Sequence, residues 1–104
     1  MSDSPVNILV VDDLGAQRLT IEVALGDLGE NIVSVSSGRE ALKFLLKNDA
    51  AVVLLDVNMP GMDGFETAAL IRQRPRNAHT PIIFLTADHD AMQVARGYAL
   101  GAVD

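Results

Sequence analysis

The sequence contains no cysteine, which excludes disulfides, thiolate metal sites and a cysteine nucleophile. That absence fits a reducing compartment. Aromatic residues make up only 4%, so a core must be built from Val, Ile, Leu and Ala. Positive charge is also scarce: eight Lys and Arg face fourteen Asp and Glu, for a formal charge of −6. A nucleic-acid surface needs clustered cations to neutralise phosphates. The densest basic stretch is Arg72, Arg74 and Arg76, broken by Pro75. It reads as a solvated helix end that complements the helix dipole, and direct nucleic-acid binding is not expected. No apolar run approaches the roughly 20 residues needed to cross a bilayer. Residues 1–7 are polar and lack the basic and apolar regions of a secretory leader. The expectation is a soluble, cytoplasmic domain that makes no membrane contact.

What is present suits one compact domain. The chain has 104 residues, 49% of them hydrophobic, enough for a single core and too short for two. Residues 6–11 form an apolar, β-branched run stopped by Asp12-Asp13. Leu14, Ile21, Leu25 and Leu28 then recur near helical period, with Gly29 closing the helix. Residues 32–36 alternate apolar and polar, as in a less buried strand. Ser37 and Glu40 have the spacing of a capping box, followed by Ala41, Leu42, Leu45 and Leu46 on one helical face.

Residues 51–55 are continuously apolar and end at Asp56. The turn-rich segment Met59-Pro60-Gly61-Met62-Asp63-Gly64 leads into a helix carrying Phe65, Ala68 and Ile71. Residues 75–81 read as a loop, residues 82–85 as a strand ended by Thr86, and residues from about 88 or 90 to 100 as a last helix. Strands alternating with helices predict an α/β fold: a doubly wound parallel sheet joined by right-handed crossovers. The all-apolar third and fourth strands suit central positions.

Three strands end in polar groups: Asp12-Asp13, Asp56 and Thr86. In open α/β sheets ligands bind outside the carboxyl ends of strands. Carboxylates gathered there repel one another, and a hard divalent cation relieves the repulsion. No His or Cys is placed to favour zinc, so the cation is Mg2+ or Mn2+.

Taken singly, each residue has a plainer reading. An Asp after a strand is commonly a turn former or helix cap. Asp63-Gly64 reads as turn and cap, Met59 and Met62 as packing, and His79 and His89 as solvated side chains. The ordered set carries the argument. Two rival motifs are weaker. A calcium loop beginning at Asp56 would need Asp or Asn where Pro60 stands and Glu where Thr67 stands. An aspartyl phosphatase would carry a second acid two residues after its nucleophile, where this chain has Asn58. The chain is also short for the lid that such chemistry needs.

Asp12-Asp13, then Leu54-Leu55-Asp56-Val57-Asn58-Met59-Pro60-Gly61-Met62-Asp63-Gly64, then Thr86-Ala87 and Gly101-Ala102 resemble the response-regulator receiver domain family of two-component signalling. The resemblance spans nearly the whole chain, and its middle block is highly specific. It implies a flavodoxin-like sheet of order 2-1-3-4, continued in the family by a fifth strand and fifth helix. That order makes strands one, three and four neighbours, so their polar ends share one cleft.

By position, the resemblance implies that Asp56 accepts a phosphoryl group from a histidine kinase or phosphotransfer protein. It implies Mg2+ on Asp13, Asp56 and the backbone carbonyl of Asn58, with Asp12 acting through water. Thr86 and the amide of Ala87 would hold the phosphoryl oxygens. Phosphorylation would shift the following loop and helix between two packings, addressing an output domain or target protein. The domain would be regulatory, with no chemistry beyond its own phosphorylation and dephosphorylation.

The family's lysine and switch aromatic, which belong with the fifth strand, have no counterpart in these 104 residues. The reading is therefore of a receiver domain over residues 1–104, truncated at its C-terminal end. The absent lysine keeps a phosphorylation-independent pseudo-receiver, acting as a protein-interaction domain, as the alternative. Oligomeric state, including dimerisation, is left open.

Overall fold

A computed structural model describes residues 4–85 of the chain. Within them four strands, β1 (Asn7–Val11), β2 (Asn31–Val35), β3 (Val52–Asp56) and β4 (Ile82–Leu85), alternate with three helices. The helices are α1 (Gly15–Leu25), α2 (Gly38–Lys47) and α3 (Gly64–Gln73). The strands form one parallel sheet in the order β2-β1-β3-β4. The doubly wound architecture and the 2-1-3-4 order agree with the expectation. β1 and β3 are the central pair, whereas β4 ends the described sheet instead of lying inside it.

Register explains the core. Leu9 pairs with Val53 and Val11 with Leu55, while Val53 pairs with Ile82 and Leu55 with Phe84. Alternate residues share a face, so these side chains form one apolar surface. Ala41 and Leu45 of α2, and Ala68 and Ile71 of α3, bury it. Each fully buried aliphatic side chain there contributes about 1.5–3 kcal/mol.

The opposite face, carrying Ile8 and Val10, is where α1 lies. No side chain of α1 is buried. Ile21 and Leu25 are half-buried, but Leu14 and Leu28, which share their near-helical spacing, are exposed. Their spacing is helical, but the helix stops at Leu25 and a 3-10 turn (Gly26–Leu28) rotates Leu28 off the buried stripe. Gly29, at φ 73°, then supplies the left-handed residue that ends the segment. Leu46, expected on one helical face with Ala41, Leu42 and Leu45, is exposed.

Two helices start as their sequences direct. Ser37 caps α2, its hydroxyl oxygen accepting from the Glu40 N–H at 3.1 Å. The Glu40 carboxylate reaches back one residue further than a capping box requires, accepting from the Ser36 N–H at 3.1 Å and from the Ser36 hydroxyl. Those bonds hold the Glu40 carboxyl below its usual range. Asp63 caps α3 by accepting from the Glu66 N–H at 2.8 Å.

The basic stretch at the end of α3 is structural, not merely a solvated helix end. Arg72 donates to the carbonyls of Asn77, Ala78 and Thr80. Arg74 donates to the Leu42 carbonyl at 2.8 Å, tying α2 to the end of α3. Arg76 pairs with Asp49 at 2.8 Å. No helix of the described residues is long and apolar enough to cross a membrane. The expected last helix, from about residue 88 or 90 to 100, lies outside the described residues, as do Thr86, Ala87 and His89.

Candidate functional site

The site is assembled by two adjacent strand ends. β1 and β3 are neighbours, with Val11 beside Leu55, so the residues that follow them emerge together. The Asp12 N–H donates to the Val35 carbonyl at 3.2 Å, which extends the β1 ladder by one residue. Asp12 is only 1% exposed. Its carboxylate turns back to accept from the Leu14 N–H at 2.9 Å, the local bond that an Asp makes where a strand becomes a turn. Asp56 is the last residue of β3 and is 9% exposed. It accepts from the Asn58 N–H at 3.2 Å.

Oxygens of Asp12, Asp13 and Asp56 all lie within 4.8 Å of one another. Burial pushes the Asp56 carboxyl up to about 6, against the pull of the Asn58 hydrogen bond and with help from the charges of Asp12 and Asp13. Burial and like charge thus disfavour the ionised form, and positive charge brought to the cluster would favour it. The cluster offers only hard oxygen donors and contains no His or Cys. That donor set fits Mg2+ or Mn2+ and gives zinc nothing it prefers.

Asp12 is held from α1 as well. The Arg18 guanidinium donates to its carbonyl at 2.6 Å. With its amide nitrogen turned to the carboxylate, Gln17 donates to Oδ1 at 3.2 Å and to Oδ2 at 2.6 Å. The reverse orientation would set oxygen against oxygen. Neither residue was expected at the site. Their places five and six residues after Asp12, on the first turns of a helix leaving that strand end, are the signal that could have found them.

An open cavity of about 620 Å³ runs from Asp12, Asp56 and Asn58 towards Thr20, Ile21 and Phe84. Asn58 is exposed at its rim. Asp63 and Gly64 have the turn and cap role expected of them, and His79 is exposed. Leu85, the residue before Thr86, pairs with Asp56 in the β3–β4 register. Thr86 and Ala87 themselves lie outside the described residues.

Comparison with known proteins gives this geometry its context. The transcriptional regulatory protein AfsQ1 of Streptomyces coelicolor is 37% identical over 98 residues, covering 94% of this chain and 42% of that protein. The chain thus spans less than half the length of that relative. The chemotaxis protein CheY4 of Vibrio cholerae superposes with a TM-score of 0.90 at 34% identity, covering 96% of this chain and 83% of that one. The Mn(2+)-bound form of response regulator Rcp1 superposes with a TM-score of 0.84 at 28% identity, covering 94% and 77% respectively. The profile of the response regulator receiver domain matches residues 8–104. With that match lying over a 2-1-3-4 parallel sheet and an acidic cleft at its carboxyl edge, the chain belongs to the receiver domain family of two-component response regulators.

Proposed function

We propose that Asp56 is the phosphoryl acceptor and that Asp12, Asp13, Asp56 and the Asn58 carbonyl serve a divalent cation, Mg2+ or Mn2+. The observation that carries this reading is the gathering of three carboxylates within 4.8 Å at the ends of β1 and β3. One of them, Asp56, is held at about 6 by burial and by its neighbours' charge. The Mn2+-bound form of Rcp1 supports the choice of cation by similarity.

The donor is a phosphohistidine on a partner kinase or phosphotransfer protein. An Asp56 oxygen attacks phosphorus, the P–N bond breaks, and the imidazole departs with that bonding pair. A carboxylate is a competent acceptor and yields a labile acyl phosphate. The cation, when bound, neutralises charge on the transferring oxygens. The protein's own share is positioning. Asp56 pairs with Leu85 of β4 and follows Leu55, which pairs with Val11 of β1, and its Asn58 hydrogen bond sets the carboxylate's rotation. Thr86 and the Ala87 amide are assigned to the phosphoryl oxygens. Receiver domains are regulatory, and here too no chemistry beyond self-phosphorylation and self-dephosphorylation is proposed. The output is an effector domain or target protein, and the setting is the cytoplasm.

Incubation with Mg2+ and acetyl phosphate tests the reading. Intact-mass measurement should show one phosphoryl group added to the wild type and none to Asp56→Asn, with the gain lost on chelation. No mass gain in either protein would reject Asp56 as acceptor and leave the pseudo-receiver reading. Release of phosphate from unrelated monoesters would favour the phosphatase reading.

A further inference from the structure

Asp12 is the most buried member of the carboxylate cluster, at 1% exposed, and both of its carboxylate oxygens receive donors. The Leu14 N–H reaches Oδ1 at 2.9 Å. The Gln17 amide spans the carboxylate, at 3.2 Å from Oδ1 and 2.6 Å from Oδ2. Arg18, next on the same helix, holds the Asp12 carbonyl at 2.6 Å. Helix α1 therefore fixes this residue at two points, its carboxylate through Gln17 and its backbone through Arg18.

We propose that Gln17 is a positioning residue for the cation site, holding the Asp12 carboxylate in the rotamer that faces a cation shared with Asp13 and Asp56. The inference rests on the cation reading given above. Three carboxylates within 4.8 Å repel one another, and a side chain free to rotate relieves repulsion by swinging away. An amide donor on Asp12 opposes this in two ways. It delocalises part of the negative charge, and it adds a directional bond that only one rotamer satisfies. Partners that orient metal-site carboxylates raise the affinity for the metal. Gln17 is exposed on α1 and fills no part of the core. Its replacement opens no cavity, so the effect belongs to the site.

Gln17→Met keeps length and helix propensity while removing both donors. Titration calorimetry with MgCl2 should show affinity weakened by about tenfold, the lower end for lost partners of a metal-site side chain. The thermal midpoint of the metal-free protein should stay unchanged. In acetyl phosphate reactions the Mg2+ concentration for half-maximal rate should rise by the same factor, while the rate at saturating Mg2+ stays as in the wild type. In an Asp12→Ala background the substitution should have no effect on affinity. Unchanged affinity in Gln17→Met, or a loss that persists without Asp12, would overturn the assignment. Failure of the wild type to bind Mg2+ would instead reject the cation reading on which it rests.

Discussion

The Gly64 N–H donates to the Val57 carbonyl at 3.0 Å, and a side chain at Gly64 would place its Cβ 2.8 Å from the Val57 Cα and closer still to the Asp56 carbonyl oxygen. The start of α3 is therefore seated directly on the backbone of the proposed acceptor. The Asp63-Gly64 pair does two jobs in succession: Asp63 caps the helix, and Gly64 lets the capped end approach β3. Since the obstructing atoms are backbone, no rotamer change relieves a clash there.

Gly64→Ala should consequently lose about 1–3 kcal/mol of stability, the usual cost of overpacking a tight site. Because the strain falls on Asp56, its phosphorylation by acetyl phosphate should slow by about tenfold to a hundredfold, as small misplacements of reacting groups do. Urea unfolding and intact-mass time courses measure the two effects. A stability loss with an unchanged rate would separate the helix seat from the site.

A second close approach joins α2 to α3. A Cβ on Gly38 would meet the Thr67 hydroxyl, with Met62 Sδ at 3.0 Å and Thr67 Cβ at 3.2 Å. Thr67 is fully buried, and its hydroxyl is committed to the Asp63 carbonyl at 2.8 Å. Gly38→Ala should destabilise by about 1–3 kcal/mol. Thr67→Ala in the same chain should recover part of that loss, giving a favourable coupling in a double-mutant cycle followed by urea denaturation.

The Asp56 carboxyl makes stability depend on pH in the metal-free protein. Its value rises from 3.8 to about 6 on folding, so the folded state holds the proton more tightly. Its contribution is complete below about pH 4 and is lost as pH rises through about 6. Water at the mouth of the cleft screens the charge, so the loss is about 1–2 kcal/mol, short of the full linkage value. Asp56→Asn should be more stable than the wild type at pH 7.5 by that amount and show no advantage at pH 4. Saturating Mg2+ should narrow the difference by binding the wild type preferentially. Chemical denaturation at the two pH values, with and without Mg2+, tests all three statements.

Arg72 gathers three carbonyls of the segment leading into β4, and burial lowers its own pKa. All three meet one guanidinium nitrogen, Nη1, which the planar group holds at a fixed reach and direction, whereas an ammonium is a compact, more strongly hydrated charge on a flexible stem. Arg72→Lys should lose about 1–3 kcal/mol, because the carbonyls left unpaired at a half-buried site keep their desolvation cost. Hydrogen exchange should quicken at the amides of residues 77–80 and 82 and not in α2. Equal stability of Arg72→Lys and the wild type would show that an ammonium holds these carbonyls as well as the guanidinium does.

Much of this was legible in the residues. Period-two and period-3.6 patterns separate strands from helices because a strand alternates faces and a helix repeats its face every third or fourth residue. Ile82–Leu85, a continuous apolar run closed by Thr86, was predicted to the residue, and Ser37 and Asp63 announced their caps through local bonds. Asp12, Asp13 and Asp56 stood out because each closes an apolar run. What periodicity could not reveal is which side of a helix finds a neighbour. Leu14, Leu28 and Leu46 carry helical spacing yet are exposed, since exposure depends on what else packs there. Arg72 and Arg74 looked like a solvated end because their acceptors are carbonyls, which every residue carries and no sequence marks.

The sequence by itself determined the order of elements, the caps and the three carboxylates, because these depend on short-range geometry and side-chain type. Only the tertiary structure decided that the carboxylates meet. β1 and β3 are 40 residues and more apart in sequence, and their register alone brings Asp12 beside Asp56. It also decided that Gln17 lies on Asp12 and that Gly64 lies on Asp56. Both contacts join different elements, and the packing that creates them is settled by the whole core at once.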